Sequence, residues 1–139
     1  MKSKSPDRLS CRKSDREIYE LLKKEGGPFK GKDHIYIFMM ALSIGYQQKN
    51  RVKLDTKDGL ILLYHVPEEL KSIIKAIAIA EEGMNLNVLL DEKKIYSIAE
   101  EYASGGIKIL KTKVLGGEFG SYIKKLELEL VDEFEKIKK

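Results

Sequence analysis

The chain contains few of the residues that hold small proteins together through covalent bonds or metals. In 139 residues it has one cysteine, two histidines and no tryptophan. The single Cys11 has no partner within the chain for a disulfide, and two histidines without a cysteine-rich spacing do not predict a zinc site. We therefore expect a fold that depends on burial of apolar side chains, with no metal and no cofactor, in the reducing cytoplasm.

Long hydrophobic runs are also missing. The longest runs from Ile35 to Ile44, contains one serine, and has about half the length that a membrane span requires. Residues 1–16 are polar and lack the apolar centre of a secretory signal. The chain is 42% hydrophobic and 35% charged, which is typical of a single globular domain. These features predict a protein that has no membrane partner.

An excess of positive charge is confined to the N-terminus. The net charge is +4, and residues 1–16 hold six basic and two acidic side chains, so this segment carries the whole excess. A basic segment of this kind contacts nucleic-acid phosphates or serves only as a solubilising tail, and both interpretations remain open. We predict a flexible arm at residues 1–13 and a single helical domain at residues 14–139. The basic side chains of the segment are Lys2, Lys4, Arg8, Arg12, Lys13 and Arg16.

Apolar residues recur at three-and-four spacing through most of the chain, which predicts a mainly α fold of about five helices. The clearest is a central helix, capped by Asp33 and apolar nearly all round, which ends between Gly45 and Asn50. The other four begin or end at recognisable signals. One helix follows a Ser14–Glu17 capping box, and a second runs from Pro67 to Gly83. A third runs from Asp91 to a closing Gly105–Gly106 pair, and the last occupies residues 120–139.

Residues 51–66 are the ambiguous part of the sequence. Asp58–Gly59 is a turn signal between two short runs of apolar, β-branched or aromatic residues. A short β-hairpin is one interpretation, and an extended segment packed over the helices is the other. We favour the extended segment with at most a short strand pair.

The same region supplies a second set of basic residues. Lys49, Arg51 and Lys53 alternate along the chain, so an extended backbone would place their side chains on one face. Three cations on one face can contact successive phosphates. We therefore predict nucleic-acid contacts at these three positions in addition to the N-terminal segment.

No group of residues in the sequence has the composition and spacing that a catalytic site requires. Asp55-Thr56-Lys57 matches the acid-x-lysine end of a metal-dependent nuclease motif, but that motif needs a second carboxylate brought across a sheet. Two acidic pairs, Glu81–Glu82 and Glu100–Glu101, are explained most simply as solvated helix surface. We assign no catalytic residue and no metal ligand.

Two segments resemble a known family. FKGKDHIYIFMMALSIGYQQKNRVKL, residues 29–54, resembles the phenylalanine–aspartate–apolar helix–glycine–basic pattern of a small family associated with Dnd DNA-phosphorothioation cassettes. EEYASGGIKIL, residues 100–110, resembles the acidic–tyrosine–alanine and double-glycine segment of that family, with AIAIAEE between them. The resemblance implies an accessory role beside systems that place sulfur in the DNA backbone or restrict DNA lacking it. It supplies no catalytic residues.

Three functional hypotheses follow. The first is a non-enzymatic accessory protein of a DNA modification or defence system, which contacts DNA or a partner protein of that system. The second is an adaptor or homo-oligomer that uses an amphipathic helix at residues 120–139. The third and weakest is a metal-dependent nuclease that uses Asp55.

Overall fold

The computed structural model describes residues 6–25 and 29–116 and, in the C-terminal part, residue 124, residues 127–132 and residue 135. In this part of the chain, four long helices, further helical positions between 124 and 135, and one two-stranded sheet confirm the predicted mainly α fold. Short 3-10 turns connect several elements. In chain order the elements are β1 (Arg8–Arg12), α1 (Arg16–Glu25), α2 (His34–Gln47), β2 (Lys57–Leu62), α3 (Glu68–Glu81) and α4 (Glu92–Leu115).

The predicted central helix is α2, and it forms the core together with α4. Asp33 precedes α2 with extended backbone angles, as expected of a cap, although its side chain makes no capping hydrogen bond. The buried residues of α2 lie on more than one side of the helix because α4, α1 and the sheet all pack against it. They are Ile35, Ile37, Phe38, Ala41, Leu42, Ile44 and Gly45.

Helix α4 does not end at Gly105–Gly106, and this part of the prediction is wrong. The helix continues to Leu115, and neither glycine has the positive φ of a helix-terminating residue. Both are needed for space instead: a Cβ on Gly106 would lie 1.9 Å from the Ala41 carbonyl oxygen, and one on Gly105 would lie 1.8 Å from the Asn50 carbonyl oxygen. Gly106 lets the backbones of α2 and α4 touch, and Gly105 lets α4 contact the chain that follows α2.

The strand predicted within residues 51–66 exists, but it does not pair locally. β2 pairs antiparallel with β1, so that Ser10 faces Gly59 and Cys11 faces Asp58. Asp58–Gly59 therefore lies inside a strand and is not the turn of a hairpin. The sequence could not show this partner because the pairing joins segments about fifty residues apart.

β1 occupies residues that we assigned to a flexible arm. Leu9 and Cys11 point into the core and are buried, while Arg8 is exposed, which is the alternation of a strand with one covered face. Burial of the apolar side chains at alternate positions and pairing with β2 together stabilise the strand. In the sequence, the basic residues around Leu9 and Cys11 favoured a solvated arm over a strand.

The remaining boundaries are close to those expected. α3 begins after Pro67 and is followed by Gly83 at positive φ, as predicted. α1 begins at Arg16, after a 3-10 turn at Lys13–Asp15, and the Ser14 capping box does not form its start. In the described part of the chain, no helix has both the length and the apolar character needed to cross a membrane.

Candidate functional site

Two arginines of the basic N-terminal segment are occupied within the fold. Arg12 donates from Nε to Asp15 Oδ2 at 2.9 Å, and the Asp15 side chain is almost fully buried. Arg16 donates from Nη1 to the Gly59 carbonyl oxygen at 2.9 Å and lies 3.5 Å from Asp58 Oδ2. The Arg16 contacts hold the start of α1 against β2, and the Arg12–Asp15 pair holds the connection between β1 and α1. Both guanidinium groups therefore have structural partners.

The other cations of the segment differ. Arg8 and Lys13 are exposed, and among the residues that the structure describes neither is paired with a carboxylate. The Lys13 backbone N–H donates to the Thr56 carbonyl oxygen at 3.1 Å. This bond places Lys13 beside residue 56, three positions after Lys53. Lys2 and Lys4 lie outside the described residues. Nucleic-acid contact by this segment stays a prediction, and its described candidates are Arg8 and Lys13.

Arg51 is the centre of a polar network between α3 and α4. Its Nε donates to Glu101 Oε1 at 2.7 Å, and its Nη1 donates to Glu81 Oε1 at 3.0 Å. The Tyr102 hydroxyl donates to the second oxygen of Glu81 at 2.6 Å, and the Arg51 guanidinium lies over the Tyr102 ring. Burial, followed by the hydrogen bond and charge of Glu81, raises the pKa of Tyr102 to about 12.

The network changes the interpretation of both acidic pairs. Glu81 and Glu101 hold one arginine, and Glu82 pairs with Lys94, so these carboxylates tie helices together. Arg51 cannot offer the same donors to a phosphate without breaking the network. Of the predicted basic face, Lys53 is exposed, and Lys49 is exposed with its ammonium 4.4 Å from the centre of the Tyr46 ring. Contact of these lysines with nucleic acid stays a prediction.

Glu100 is the most deeply buried acid of the four, at 4% exposure. Its Oε2 accepts from the Ser10 backbone N–H at 2.6 Å, and its Oε1 accepts from Lys57 Nζ at 3.2 Å. The register of the sheet shifts between Leu9 and Ser10, and the Ser10 N–H is directed to this carboxylate. Burial raises the pKa of Glu100, and the Ser10 hydrogen bond and the Lys57 charge offset part of that rise.

The geometry around Asp55 does not support a nuclease centre. Asp55 Oδ1 accepts from its neighbour Thr56 N–H at 2.7 Å, which is a local turn contact, and Lys57 is paired with Glu100. Among the described residues, no group of three acidic, histidine or cysteine side chains is placed to hold a metal ion.

Cys11 is not positioned as a reactive thiol. It lies on the buried face of β1, and burial raises the pKa of its thiol to about 11, although the Arg16 charge acts in the opposite direction. A thiol with this pKa stays protonated at neutral pH and is a poor nucleophile.

The structure reveals one surface that sequence reasoning missed. We call it the 84–90 surface, and it comprises Met84, Leu86, Leu89 and Leu90 between α3 and α4. All four side chains are exposed, with Leu86 at 65% and Leu90 at 86%. The available signal was four large apolar residues in the short segment between Gly83 and Asp91, which lies outside every predicted helix. Large apolar side chains that form a contiguous exposed patch are typical of interaction sites.

We expect Arg51→Ala to lower stability and leave nucleic-acid binding unchanged. The substitution removes two charge-assisted hydrogen bonds from a partly exposed network and leaves Glu81 and Glu101 facing each other, at a cost of about 1–2 kcal/mol in the free energy of unfolding. Urea denaturation measures the loss, and DNA retention in a salt series tests binding. Lys53→Ala is the matched control, because it removes one positive charge from the same face without removing the hydrogen bonds of Arg51. If Arg51→Ala weakens DNA retention at unchanged stability, Arg51 is a phosphate contact.

Comparison with known families agrees with the resemblance seen in the sequence. Residues 8–139 match a family described as DNA sulphur modification system-associated protein 4. The match includes β1 and the C-terminal segment, both outside the residues 29–110 that showed the resemblance. No curated protein and no solved structure is significantly similar to this chain. Because the match covers nearly the whole sequence, the chain belongs to the DNA sulphur modification system-associated protein 4 family.

Proposed function

We propose that the chain is a non-enzymatic accessory component of a DNA sulphur modification system and that it acts by binding a partner protein of that system. Family membership supports association with such a system. The single observation that carries the partner-binding step is the 84–90 surface, where four large apolar side chains are exposed together. The cations that would favour direct action on DNA are in part occupied within the fold.

The backbone of this surface is fixed, so its exposure is not the result of a loose loop. Val88 is buried between the exposed positions and anchors the 3-10 turn Leu86–Leu90. The Asn85 side chain accepts from the Asn87 N–H at 3.0 Å, and the Met84 N–H donates to the Ile79 carbonyl oxygen at 2.8 Å. A rigid turn presents its leucines without the entropy loss that a mobile loop pays on binding.

Met84 has a backbone conformation that costs stability. Its φ is +67°, next to Gly83 at +68°, and a side chain in this left-handed region costs about 1–2 kcal/mol. Backbone strain of this kind is typical of binding sites, where the conformation serves a contact.

The surroundings of the surface indicate what kind of partner fits. A cleft of about 300 Å³ lies beside it, lined by polar and charged side chains, and Glu92 is exposed at the start of α4. An apolar groove with hydrogen-bonding groups and a cation at its rim would complement the leucines and Glu92. The cleft is lined by Glu82, Asn85, Asn87, Val88, Asp91 and Lys94.

We expect the double substitution Leu86→Asp/Leu90→Asp to weaken partner binding about tenfold or more while the protein stays folded. Burial of one leucine side chain contributes about 1.5–3 kcal/mol, and a charge placed in an apolar groove adds a desolvation cost. Both positions are exposed, so the free energy of unfolding should change little. Co-purification of the tagged chain with each separately expressed protein of its modification system measures the effect.

The control is Leu128→Asp/Leu130→Asp, which makes the same chemical change at exposed leucines of the C-terminal segment. Partner binding that survives Leu86→Asp/Leu90→Asp would contradict the proposal. The control also tests the second candidate, self-association through residues 120–139, which the exposure of Leu128, Leu130 and Val131 favours. Loss of a dimer in light scattering with this variant alone would support homo-oligomerisation.

A further inference from the structure

Tyr64 is the most exposed large hydrophobic side chain in the described part of the chain, at 89%. It lies in the 3-10 turn Leu63–His65, between Leu63 and Val66, which are both buried. Tyrosine usually covers most of its ring in a folded protein. A turn anchored on both sides therefore presents this ring to solvent, and core packing does not explain its position.

The turn is joined rigidly to the start of β1. The Leu63 N–H donates to the Asp7 carbonyl oxygen at 3.0 Å, and Leu62 is the strand partner of Arg8. The turn also closes on itself, because the Val66 N–H donates to the Leu63 carbonyl oxygen at 3.1 Å. These bonds leave Tyr64 little backbone freedom.

A second aromatic ring accompanies Tyr64, and an exposed cation, Arg8, lies on the neighbouring strand opposite Leu62. The His65 ring is exposed and stands nearly perpendicular to the Tyr64 ring, with 5.4 Å between the ring centres. Arg8 is exposed, and among the described residues its guanidinium is not paired with a carboxylate, while its stem crosses Gly59 at close range. We call Arg8, Leu62, Tyr64 and His65 the Tyr64 surface.

We propose that the Tyr64 surface binds single-stranded DNA by stacking an unpaired base on the Tyr64 ring, with Arg8, on the strand opposite Leu62, contacting a phosphate further along the same DNA strand. Every base has a π face that stacks on an exposed aromatic ring, and an adjacent guanidinium supplies the charge contact. In duplex DNA the bases are stacked on each other, so only an unpaired base can reach the ring.

The acids around the surface favour a contact limited to one or two nucleotides. Asp7 precedes Arg8, and Glu68 and Glu69 follow the turn, all three with exposed side chains. Glu68 lies 3.4 Å from Lys71 and is partly neutralised. A duplex, with its dense double row of phosphates, would meet these carboxylates unfavourably. The surface is separate from the 84–90 surface, so the inference does not depend on partner-protein binding.

Fluorescence anisotropy with a labelled oligothymidine of about twelve nucleotides tests the proposal, since that length is within the site sizes of single-strand binders. We expect Tyr64→Ala to weaken binding about 5- to 150-fold, the range for loss of one stacked base. Tyr64→Phe should retain binding because stacking needs the ring and not the hydroxyl. Tyr36→Ala, at an exposed tyrosine of α2, should have no effect.

Arg8→Ala should weaken binding and reduce the salt dependence by about one phosphate contact, whereas Arg8→Lys should keep that dependence. Point substitutions are required here because deletion of residues 1–16 would remove β1 from the fold. Equal affinity of wild type and Tyr64→Ala, no binding at low salt, or tighter binding of a duplex or of the matching RNA would each overturn the proposal. Loss of partner-protein binding by Tyr64→Ala with unchanged DNA affinity would overturn it as well.

Discussion

Replacement of Gly106 by alanine should destabilise the protein by about 3 kcal/mol or more, although alanine is the better helix former. The new Cβ would lie 1.9 Å from the Ala41 carbonyl oxygen and 2.7 Å from the Gly45 nitrogen, and both are backbone atoms that cannot rotate away. Relief of the clash requires α2 and α4 to move apart by about 1.5 Å, which loosens the largest interface of the fold. Guanidinium denaturation measures the change.

Gly83→Ala is the matched control. Gly106 has no space for a Cβ but no positive φ, whereas Gly83 has space but a positive φ. At Gly83 there is open space for a Cβ, but φ is positive, so we expect a loss of only about 1 kcal/mol. In an exposed helix, glycine-to-alanine substitution stabilises by about 1 kcal/mol. A Gly106→Ala protein that is as stable as wild type would mean that the two helices do not approach this closely.

Replacement of Glu100 by alanine should lower the free energy of unfolding by about 2–4 kcal/mol. The substitution leaves the Ser10 N–H without its acceptor inside the protein, which costs about 1–3 kcal/mol, and it adds a cavity. The lost attraction to Lys57 contributes little, since that side chain is 53% exposed. Equilibrium denaturation gives the total, and amide hydrogen exchange at Ser10 shows whether β1 opens first.

Glu100→Gln separates the hydrogen bond from the charge. The amide oxygen can still accept from Ser10, so this variant should lose about 1 kcal/mol and keep Ser10 protected. Similar losses and similar exchange in the alanine and glutamine variants would show that the Ser10 contact does not stabilise β1.

A comparison of the wild-type protein with Glu100→Gln reports the pH dependence of stability at this site. Burial raises the pKa of Glu100 above its ordinary value of 4.5, so the folded protein holds this proton at pH values where the unfolded chain has released it. Stability from this group therefore falls as pH rises from about the unfolded pKa through the raised one, and it is constant above both. Glu100→Gln lacks the group, so the difference between the two pH profiles should show this fall.

Local patterns predicted the helices well. The boundaries of α2 and α3 follow from Asp33, Pro67 and Gly83, because capping and helical spacing depend on neighbours within about four residues. The same reasoning misplaced the end of α4. Gly105 and Gly106 look alike whether they end a helix or let another backbone approach, and only contact with α2 distinguishes the two.

The site residues were less predictable than the fold. Sequence reasoning selected Arg51, Arg12 and Arg16 as phosphate contacts because basic side chains are the right chemistry for phosphate. In the structure Arg51 lies against Glu81 and Glu101, and Arg16 lies against the Gly59 carbonyl, at distances set by elements far away in the chain. Arg12 lies against its near neighbour Asp15, which is buried in the core. A charge count cannot separate a cation that is occupied inside the fold from one that faces solvent.

By itself, the sequence determined the helical class, the apolar faces and caps of most helices, and kinship with a Dnd-associated family. Those features depend on residue type and on the spacing of residues a few positions apart, and both can be read directly from the sequence. The tertiary structure alone decided that β1 pairs with β2, that Glu100 holds Ser10, and that Leu86, Leu90 and Tyr64 remain exposed. Each of these depends on which distant segment fills the space beside a residue, and burial of the whole core selects that arrangement.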